Sequence, residues 1–418
     1  MGQYSSYKDS GFEWIGKIPS HWGLLKSKFL WRESFDTSAT GMEDLLSVSQ
    51  YDGVTPANGS HSESLVGYKV VEENNLVINI MLAWMGGLGV SAFNGLVSPA
   101  YCVYKLLGDN NPKYMHYLYK TPMYLAEFAR HSTGVIPSRW RMYTDDFGQV
   151  ISLIPPRKEQ DAMVAYLDAA TAKIDEAIAQ QQRMIDLLNE RKQIIINDAV
   201  SSGLGNEFSA LTSFEERESI TIPKGWRLLP LKAKISFVNG YAFDSESFMK
   251  EGEVPVIRIS NISDGTVSYD DIVYVDRDKG LEPFLTKGGD LLIAMSGATT
   301  GKVGFDIDGG SYINQRVGII RSSCQKWVYY WLMTSFFKEY VYLSALGSAQ
   351  PNISSSGIKN FRILYPEDGN YSNIVDRLDV ICLEIDKALG AFQHQIDLLQ
   401  ERKQIIINDV VTGKVKVV

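Results

Sequence analysis

Two stretches of this sequence, IDLLNERKQIIIND at residues 185–198 and IDLLQERKQIIIND at residues 396–409, are identical at 13 of 14 positions. They begin 211 residues apart (396 − 185 = 211) in a chain of 418 residues. A shorter pair, IPSHW at 18–22 and IPKGW at 222–226, marks the start of each half. We infer an internal duplication, in which each repeat is a globular domain followed by a conserved segment.

Both conserved segments have the spacing of a long helix that packs on another helix. Apolar side chains recur at alternating steps of three and four residues, the heptad pattern of a coiled coil. Pro155 and Pro156 block a helix before the first segment, and Gly203 and Gly413 are suited to end the two helices. We therefore predict helices at 158–202 and 371–413. One such stretch alone would equally fit a buried helix in an ordinary core, but two copies favour an antiparallel coiled coil about a pseudo-two-fold axis. The seam positions are Val164, Leu167, Thr171, Ile174, Ile178, Gln181, Ile185, Leu188, Lys192 and Ile195, and Val375, Leu378, Cys382, Ile385, Leu389, Phe392, Ile396, Leu399, Lys403 and Ile406.

The remaining sequence has short β-prone runs separated by glycine and asparagine turns, among them YCVYKLL at 101–107 and DLLIAMSG at 290–297. These runs predict a mixed α/β domain at 1–157 and another at 222–370. Residues 203–221 have the composition of a polar linker. The predicted fold class is α+β, with two mixed domains joined by two long helices.

Composition limits the classes of function. The chain is 45% hydrophobic and 22% charged, as in water-soluble globular proteins. No apolar run has the length of a membrane span, and the first residues lack a secretory signal pattern, so we expect a cytoplasmic protein without a membrane partner. Three scattered cysteines predict reduced thiols without a metal site. A net charge of −8 argues against a protein that binds nucleic acid over its whole surface.

Motifs for catalysis are missing from the sequence. Residues 297–302, GATTGK, are one residue short of a phosphate-binding loop, and Val303 stands where Ser or Thr would coordinate magnesium. The stretch is therefore a tight turn, either a plain hairpin loop or a loop whose Thr299, Thr300 and Lys302 contact DNA. Serine-hydrolase, metalloprotease and amino-methyltransferase motifs are absent, so we name no catalytic residue and no metal ligand.

Polar loops precede each predicted long helix, RHSTGVIPSRWRMY at 130–143 and GSAQPNISSSGIKNF at 347–361. Arginine pairs with guanine, and asparagine or glutamine with adenine, through two hydrogen bonds in the major groove. These loops are candidates for DNA contact, with solvated loops as the alternative. The candidate residues are Arg130, Arg139 and Arg141 in the first half and Gln350, Asn352, Ser354 and Lys359 in the second, with Arg258 and Arg316 as further candidates.

Five stretches together resemble one family, the specificity subunits of type I restriction-modification systems. They are GFEWIGKIPSHW at 11–22, IPPRKEQDAMVAYLD at 154–168, SGATTGKVG at 296–304, QPNISSSGIKNFRILYP at 350–366 and the duplicated ERKQIIIND. Each stretch alone is a weak match to the family, but the five together, in this order, span nearly the whole chain. In the first half GVIPSRWRMY replaces the QPNIS element, so DNA contacts there do not transfer residue by residue.

The resemblance implies a non-catalytic protein whose two target-recognition domains each read half of a split, asymmetric DNA site. The helices would act as a ruler for the spacer and would bind two modification subunits, which use S-adenosylmethionine to methylate adenine. Restriction subunits would add cleavage driven by ATP with magnesium. The chain itself would hold no cofactor. A coiled-coil adaptor with two protein-binding domains is the alternative function. Partner contacts are expected at the charged positions Glu190, Arg191 and Lys192, and Glu401, Arg402 and Lys403.

Overall fold

The computed structural model describes residues 2–50, 53–57, 64–136, 139–202, 222–345, 351–367, 369 and 371–417. Its contacts divide the chain into two compact units. Unit 1 comprises Met1–Gln182 with His394–Val418, and unit 2 comprises Arg183–Gln393. Each unit therefore contains one domain and parts of both long helices. The predicted linker at 203–221 lies outside the described residues.

Unit 1 is built on a four-stranded antiparallel sheet with the order β4-β11-β8-β9. Smaller antiparallel pairs, β1 with β2, β3 with β12, β5 with β6 and β7 with β10, surround it. The strands are β1 (Tyr7–Asp9), β2 (Lys17–Pro19), β3 (Gly23–Lys26), β4 (Trp31–Ser34), β5 (Leu46–Ser49), β6 (Gly53–Pro56), β7 (Lys69–Val71), β8 (Leu76–Asn79), β9 (Leu88–Val90), β10 (Gly95–Val97), β11 (Tyr101–Leu106) and β12 (Ile151–Ile154). The helices of this half are α1 (Ser27–Leu30), α2 (Pro112–Tyr119), α3 (Pro122–Arg130), α4 (Thr144–Gln149) and the long α5 (Arg157–Ser202).

Unit 2 has a six-stranded sheet with the order β14-β23-β20-β21-β17-β16, a four-stranded sheet β18-β15-β22-β19 and the pair β13-β24. The strands are β13 (Trp226–Pro230), β14 (Ser236–Asn239), β15 (Val254–Ile257), β16 (Ile262–Ser263), β17 (Gly265–Val267), β18 (Val273–Val275), β19 (Leu285–Lys287), β20 (Asp290–Ala294), β21 (Val303–Asp306), β22 (Gly309–Ile313), β23 (Val317–Arg321) and β24 (Arg362–Pro366). The helices of this half are α6 (Gln325–Leu332), α7 (Ser335–Ala345), α8 (Ser355–Asn360) and the long α9 (Tyr371–Val411). The predicted mixed α/β character is thus present in both units.

The two domains have the same core topology although their sequences differ. The order β4-β11-β8-β9 in unit 1 matches β14-β23-β20-β21 in unit 2, and the pair β3-β12 matches β13-β24. Helices α2, α3 and α4 follow the sheet in the first half as α6, α7 and α8 do in the second. The duplication therefore covers the domains as well as the long helices.

Matching side chains hold the start of each long helix to its own domain. The hydroxyl of Tyr117 in α2 donates to Asp168 in α5 at 2.7 Å, and Lys113 pairs with the same carboxylate. In unit 2, Tyr330 donates to Asp379 at 2.7 Å and Lys326 pairs with that carboxylate. Burial, and then the neighbouring carboxylate, raise the pKa of both tyrosines, so they remain donors at neutral pH.

Each core also contains the end of the other repeat's long helix. In unit 1, Ile407, Val410 and Val411 of α9 are buried in one cluster with residues 163–167 of α5. In unit 2, Ile196, Ala199 and Val200 of α5 are buried in one cluster with residues 374–382 of α9. The repeat is thus more than a domain followed by its helix, because the helix end completes the core of the other unit.

Inside each unit one ion pair joins the two helix segments. Lys403 of α9 binds Asp175 of α5 at 2.6 Å in unit 1, and Lys192 of α5 binds Asp386 of α9 at 2.6 Å in unit 2. All twenty predicted seam positions are buried or partly buried.

The duplicated Asn197 and Asn408 differ in their contacts, which gives a test of the docking. Asn197 accepts from the backbone N–H of Ser335 at 3.0 Å and donates to the Ser335 hydroxyl at 2.8 Å, at the first residue of α7. The side-chain amide of Asn408 donates only to its neighbour Asp409 among the described residues, at 3.3 Å.

We predict that Asn197→Ala speeds amide hydrogen exchange at the start of α7 by about fivefold, because losing such a helix-end acceptor costs about 1 kcal/mol. Asn408→Ala is the matched control and should leave α7 exchange unchanged. The measurement is hydrogen exchange by mass spectrometry on the intact chain. Equal effects of the two variants on α7 would contradict the assigned contact.

Candidate nucleic-acid interface

Four segments of unit 2 meet at one edge of its larger sheet, and we call residues 258–261, 297–302, 314–316 and 351–354 loop cluster 2. The backbone N–H of Met295 donates to Arg316 at 2.8 Å, and that of Ile353 donates to Met295 at 3.0 Å. Gly297 donates to Pro351 at 3.0 Å. These bonds bring together residues that are up to 58 positions apart in sequence (353 − 295 = 58).

The threonines of the GATTGK turn fasten this cluster through their hydroxyls. Thr299 donates to the backbone oxygen of Ile259 at 3.0 Å, and Thr300 donates to those of Gly297 at 2.6 Å and Pro351 at 3.0 Å. The turn joins β20 to β21 and is a hairpin loop, the alternative considered from the sequence. The geometry therefore gives both threonines a positioning role, while Lys302 at the end of the turn is exposed.

Three predicted contact residues of loop cluster 2 present free polar groups. Lys302, Arg316 and Asn352 are exposed, and no side-chain hydrogen bond or ion pair to them occurs within the described ranges. Two cations and one amide thus lie on segments that share backbone hydrogen bonds, a composition that suits both the phosphates and the base edges of DNA.

Other predicted residues of this half are engaged by the protein itself. Arg258 donates from Nη2 to the backbone oxygen of Asp271 at 2.8 Å. Ser354 accepts from the backbone N–H of Gly357 at 3.0 Å as the N-cap of α8, and the Lys359 ammonium lies 5.5 Å from the ring centroid of Phe237. Gln350 lies outside the described residues.

The corresponding edge of unit 1 comprises residues 80–87, 133–136 and 139–143, which we call loop cluster 1. The backbone N–H of Met142 donates to Ile80 at 3.0 Å, and Thr133 and Arg141 bond each other twice at 2.9 Å. The rings of Trp84 and Trp140 lie edge to face with centroids 5.3 Å apart. Residues 140–143 therefore take the place that 351–354 take in the second half.

Of the predicted residues in loop cluster 1, Arg139 is exposed and Arg141 is half-buried. Arg141 donates from Nη1 to the backbone oxygen of Trp140 at 2.8 Å, which leaves Nη2 and Nε. Arg130 lies at the end of α3, where Nε and Nη2 donate to the buried Glu127 carboxylate at 2.8 and 2.6 Å. Burial alone would raise the pKa of Glu127, but Arg130 and His131 outweigh it and lower that pKa. Arg130 is thus already paired.

Sequence reasoning placed these two loops at the same point of their repeats but did not pair Arg141 with Asn352. Asn352 and Arg141 are 211 residues apart (352 − 141 = 211), the same offset as the duplicated helices. This spacing is the only sequence feature that could have paired them. Sequence reasoning also missed the exposed apolar residues Val135 and Ile136 at the tip of the first loop. Their exposure could have been predicted from the apolar residues standing inside a loop that contains glycine and proline.

The charged positions on the long helices divide into two sets. Lys192 and Lys403 form the ion pairs inside the units described above. Glu190, Arg191, Glu401 and Arg402 are exposed. Beside them lie exposed apolar side chains at matching positions, Leu187 (57% exposed), Ile194 (51%), Leu398 (49%) and Ile405 (51%).

Searches for other kinds of site gave negative results within the described part of the chain. No group of three histidine, cysteine, aspartate or glutamate side chains there has the arrangement of a metal site. Cys102, Cys324 and Cys382 are free thiols. Among the helices that are described, none combines the length and apolar character needed to cross a membrane.

Comparisons with known proteins agree on one class. Residues 223–391 match the family model described as the type I restriction modification DNA specificity domain. The type I restriction enzyme MjaVIII specificity subunit of Methanocaldococcus jannaschii is 24% identical over 275 residues, which are 63% of this chain and 62% of that protein. The EcoKI specificity subunit of Escherichia coli is 22% identical over 209 residues, 46% of this chain and 44% of that protein. The matched regions thus span about three fifths or less of these relatives' lengths.

A solved structure shows the same fold. A chain of the structure described as "Structural basis underlying complex assembly and conformational transition of the type I R-M system" has a TM-score of 0.69 at 13% identity, covering 95% of this chain and 99% of that chain. Residues 223–391 are therefore a DNA specificity domain of the type I restriction-modification class. The resemblance to type I specificity subunits that was predicted from the sequence is confirmed.

His116 makes loop cluster 1 sensitive to pH. Its Nδ1 accepts from the backbone N–H of Val90 at 3.1 Å and so holds β9, the strand that follows residues 80–87. Burial, with the nearby Lys120 and Lys113, lowers the pKa of His116 to about 4. The folded chain therefore keeps this imidazole neutral under conditions in which the unfolded chain, with an ordinary histidine pKa of about 6.5, binds a proton.

We predict that unit 1 loses stability as pH falls from about 6.5 to about 4, by at most about 3 kcal/mol from this group. In His116→Gln, which keeps an acceptor, that part of the pH dependence should disappear. His394→Gln, at an exposed position of α9, is the control. Urea unfolding at stepped pH measures the effect, and an unchanged slope in His116→Gln would count against it.

Proposed function

We propose that this chain is the non-catalytic specificity subunit of a type I restriction-modification complex. It reads a bipartite, asymmetric target in double-stranded DNA and directs adenine methylation and restriction by partner subunits. The observation that carries this proposal is one shared domain frame that presents different side chains at the same edge, Lys302, Arg316 and Asn352 in one domain and Arg139 and Arg141 in the other. Equal frames with unequal contact groups suit a target whose two halves differ in sequence.

The two long helices supply the spacer between the half-sites in this proposal. We propose that they form an antiparallel coiled coil about a pseudo-two-fold axis, with target-recognition domains at 1–157 and 222–370. The ion pairs Lys403–Asp175 and Lys192–Asp386, one inside each unit, support this arrangement because each joins the same pair of repeat positions. Such a pair of helices is stiff enough to fix a distance.

The exposed faces of these helices are proposed to bind two modification subunits. On α5 the face consists of Leu187, Glu190, Arg191 and Ile194, and α9 repeats it as Leu398, Glu401, Arg402 and Ile405. Half-exposed leucine and isoleucine flanked by arginine are typical of an interface core with a charged rim. Two copies of one face predict two copies of one partner.

The chemistry then belongs to the partners. Modification subunits would hold S-adenosylmethionine, and restriction subunits would use ATP and magnesium, in the cytoplasm. This division also accommodates the net charge of −8, because partners that surround the DNA supply most phosphate contacts while this chain supplies base contacts.

For DNA binding, we predict that Lys302→Ala weakens the affinity of the complex equally for all sequences, by roughly 3- to 10-fold, and lowers the slope of log K against log salt by about 1. Lys287→Ala is the matched control, because Lys287 is exposed at the opposite end of β20. Binding is measured by fluorescence anisotropy of duplex DNA at stepped salt, with modification subunits present. DNA binding without any sequence preference would contradict the proposed specificity, and the absence of DNA binding would favour the adaptor alternative.

For partner binding, we predict that Ile194→Glu reduces the number of bound modification subunits from two to one. Ile405→Glu should do the same, and the double variant should bind none, since a buried glutamate without a partner is strongly unfavourable. Lys173→Glu, exposed on the same side of α5 but 14 residues before Leu187 (187 − 173 = 14), is the charge control. Native mass spectrometry gives the stoichiometry, and two subunits on the double variant would refute the proposed face.

A further inference from the structure

We propose that a single equivalent position, Arg141 in the first domain and Asn352 in the second, selects one base in each half-site. Arg141 would select guanine and Asn352 adenine. This inference rests on the proposed function, since it assumes that both loop clusters face DNA. It goes further by naming the base that each domain reads at this position and the atoms that read it.

The backbone fixes this position in the same way in both domains. The residue that follows it, Met142 or Ile353, is buried and donates its N–H at 3.0 Å to the residue just after the central strand, Ile80 after β8 or Met295 after β20. The next residue in each case, Tyr143 or Ser354, is the N-cap of a short helix. The equivalence thus follows from matching bonds and not from sequence alignment alone.

The position is also clamped from the other side. Arg141 exchanges two backbone hydrogen bonds with Thr133, both at 2.9 Å. Asn352 forms a bridge with Ser296, next to the bond from Gly297 to Pro351 at 3.0 Å. A backbone held at several points fixes where the side chain starts and the direction of its Cα–Cβ bond, which precise base recognition requires of the segment that carries it.

The side chains at this position have complementary recognition chemistry. Asn352 is exposed and makes no side-chain hydrogen bond to any described residue, so its amide is free to accept from N6 and donate to N7 of adenine. Arg141 donates from Nη1 to the Trp140 carbonyl at 2.8 Å, and this bond orients the guanidinium. Nη2 and Nε are left to donate to O6 and N7 of guanine.

Neighbouring cations fit a different role. Lys302 lies at the end of a turn whose hydroxyls are turned inward, and Lys carries a point charge without a planar pair of donors. Lys302 is therefore suited to phosphate, which positions the domain without selecting a base. At position 141/352 the two domains differ in bidentate chemistry on an equivalent backbone.

The test uses the full chain assembled with its modification subunits on a library of random-sequence duplexes, with methylated molecules sequenced to give the recognised motif. Asn352→Ala should relax one adenine position in one half-site, losing roughly 10- to 100-fold discrimination there. Asn352→Arg should move the preference at that position to guanine. Arg141→Ala should relax a guanine position in the other half-site only. Ser356→Ala, exposed on α8, should leave the motif unchanged.

The outcomes separate this inference from the proposed function. A two-part wild-type motif that Asn352→Ala leaves unchanged, or in which it alters both halves, would overturn the assignment of position 141/352 alone. A wild-type motif without two halves would overturn the proposed function and this assignment with it. If Asn352→Arg abolishes methylation, the alanine variants still test the base assignment of position 141/352. Relaxed discrimination at one base pair is seen only when the complex is assembled and active.

Discussion

The fold depends on covering the apolar faces of α5 and α9, which run along 46 and 41 residues. A domain of ordinary size cannot cover a helix face of that length. Each unit covers two parts of these faces. It holds the start of its own helix through Asp168 or Asp379, and it buries the end of the other repeat's helix in its core. Neither core is complete without the other repeat, which explains why the helix ends remain nearly identical while the domains have diverged.

The duplicated segment serves two surfaces at once. On its inner side, Ile196 and Ile407 are buried, and Lys192 and Lys403 form ion pairs inside their units. On its outer side, the face that begins with Leu187 or Leu398 is exposed. A residue constrained on either side tolerates little change, so packing on the inner side together with the partner binding proposed for the outer side would account for two near-identical copies. Packing alone would leave the outer side free to vary, because single surface substitutions seldom change stability by more than about 0.5 kcal/mol.

Much of this architecture could be predicted from the sequence, because it follows from periodicity. Alternating steps of three and four located the long helices. Pro155 and Pro156 placed the start of the first near residue 158, and α5 begins at Arg157. The apolar run at 290–297 located β20. The shared sheet topology of the two domains could not be predicted this way. It depends on backbone hydrogen bonds, which many different side chains allow. Among the site residues, side-chain type was a poor guide: Thr299 and Thr300 donate inward, and Arg130 is paired with Glu127. Whether a polar group is free or engaged depends on tertiary neighbours that no local pattern encodes.

The net charge of −8 is consistent with the proposed DNA recognition once the distribution of charge is considered. Many of its arginines and lysines form ion pairs, among them Arg157 with Asp161, Arg277 with Glu282 and Arg321 with Asp290. Such pairs nearly cancel at a distance, so the local field comes from unpaired cations, and Lys302 and Arg316 are exposed together on loop cluster 2. Beyond a Debye length of about 8 Å, salt screens the acidic remainder of the surface. The net charge therefore does not conflict with the proposed DNA recognition, which would rest on a few groups at one edge of each domain.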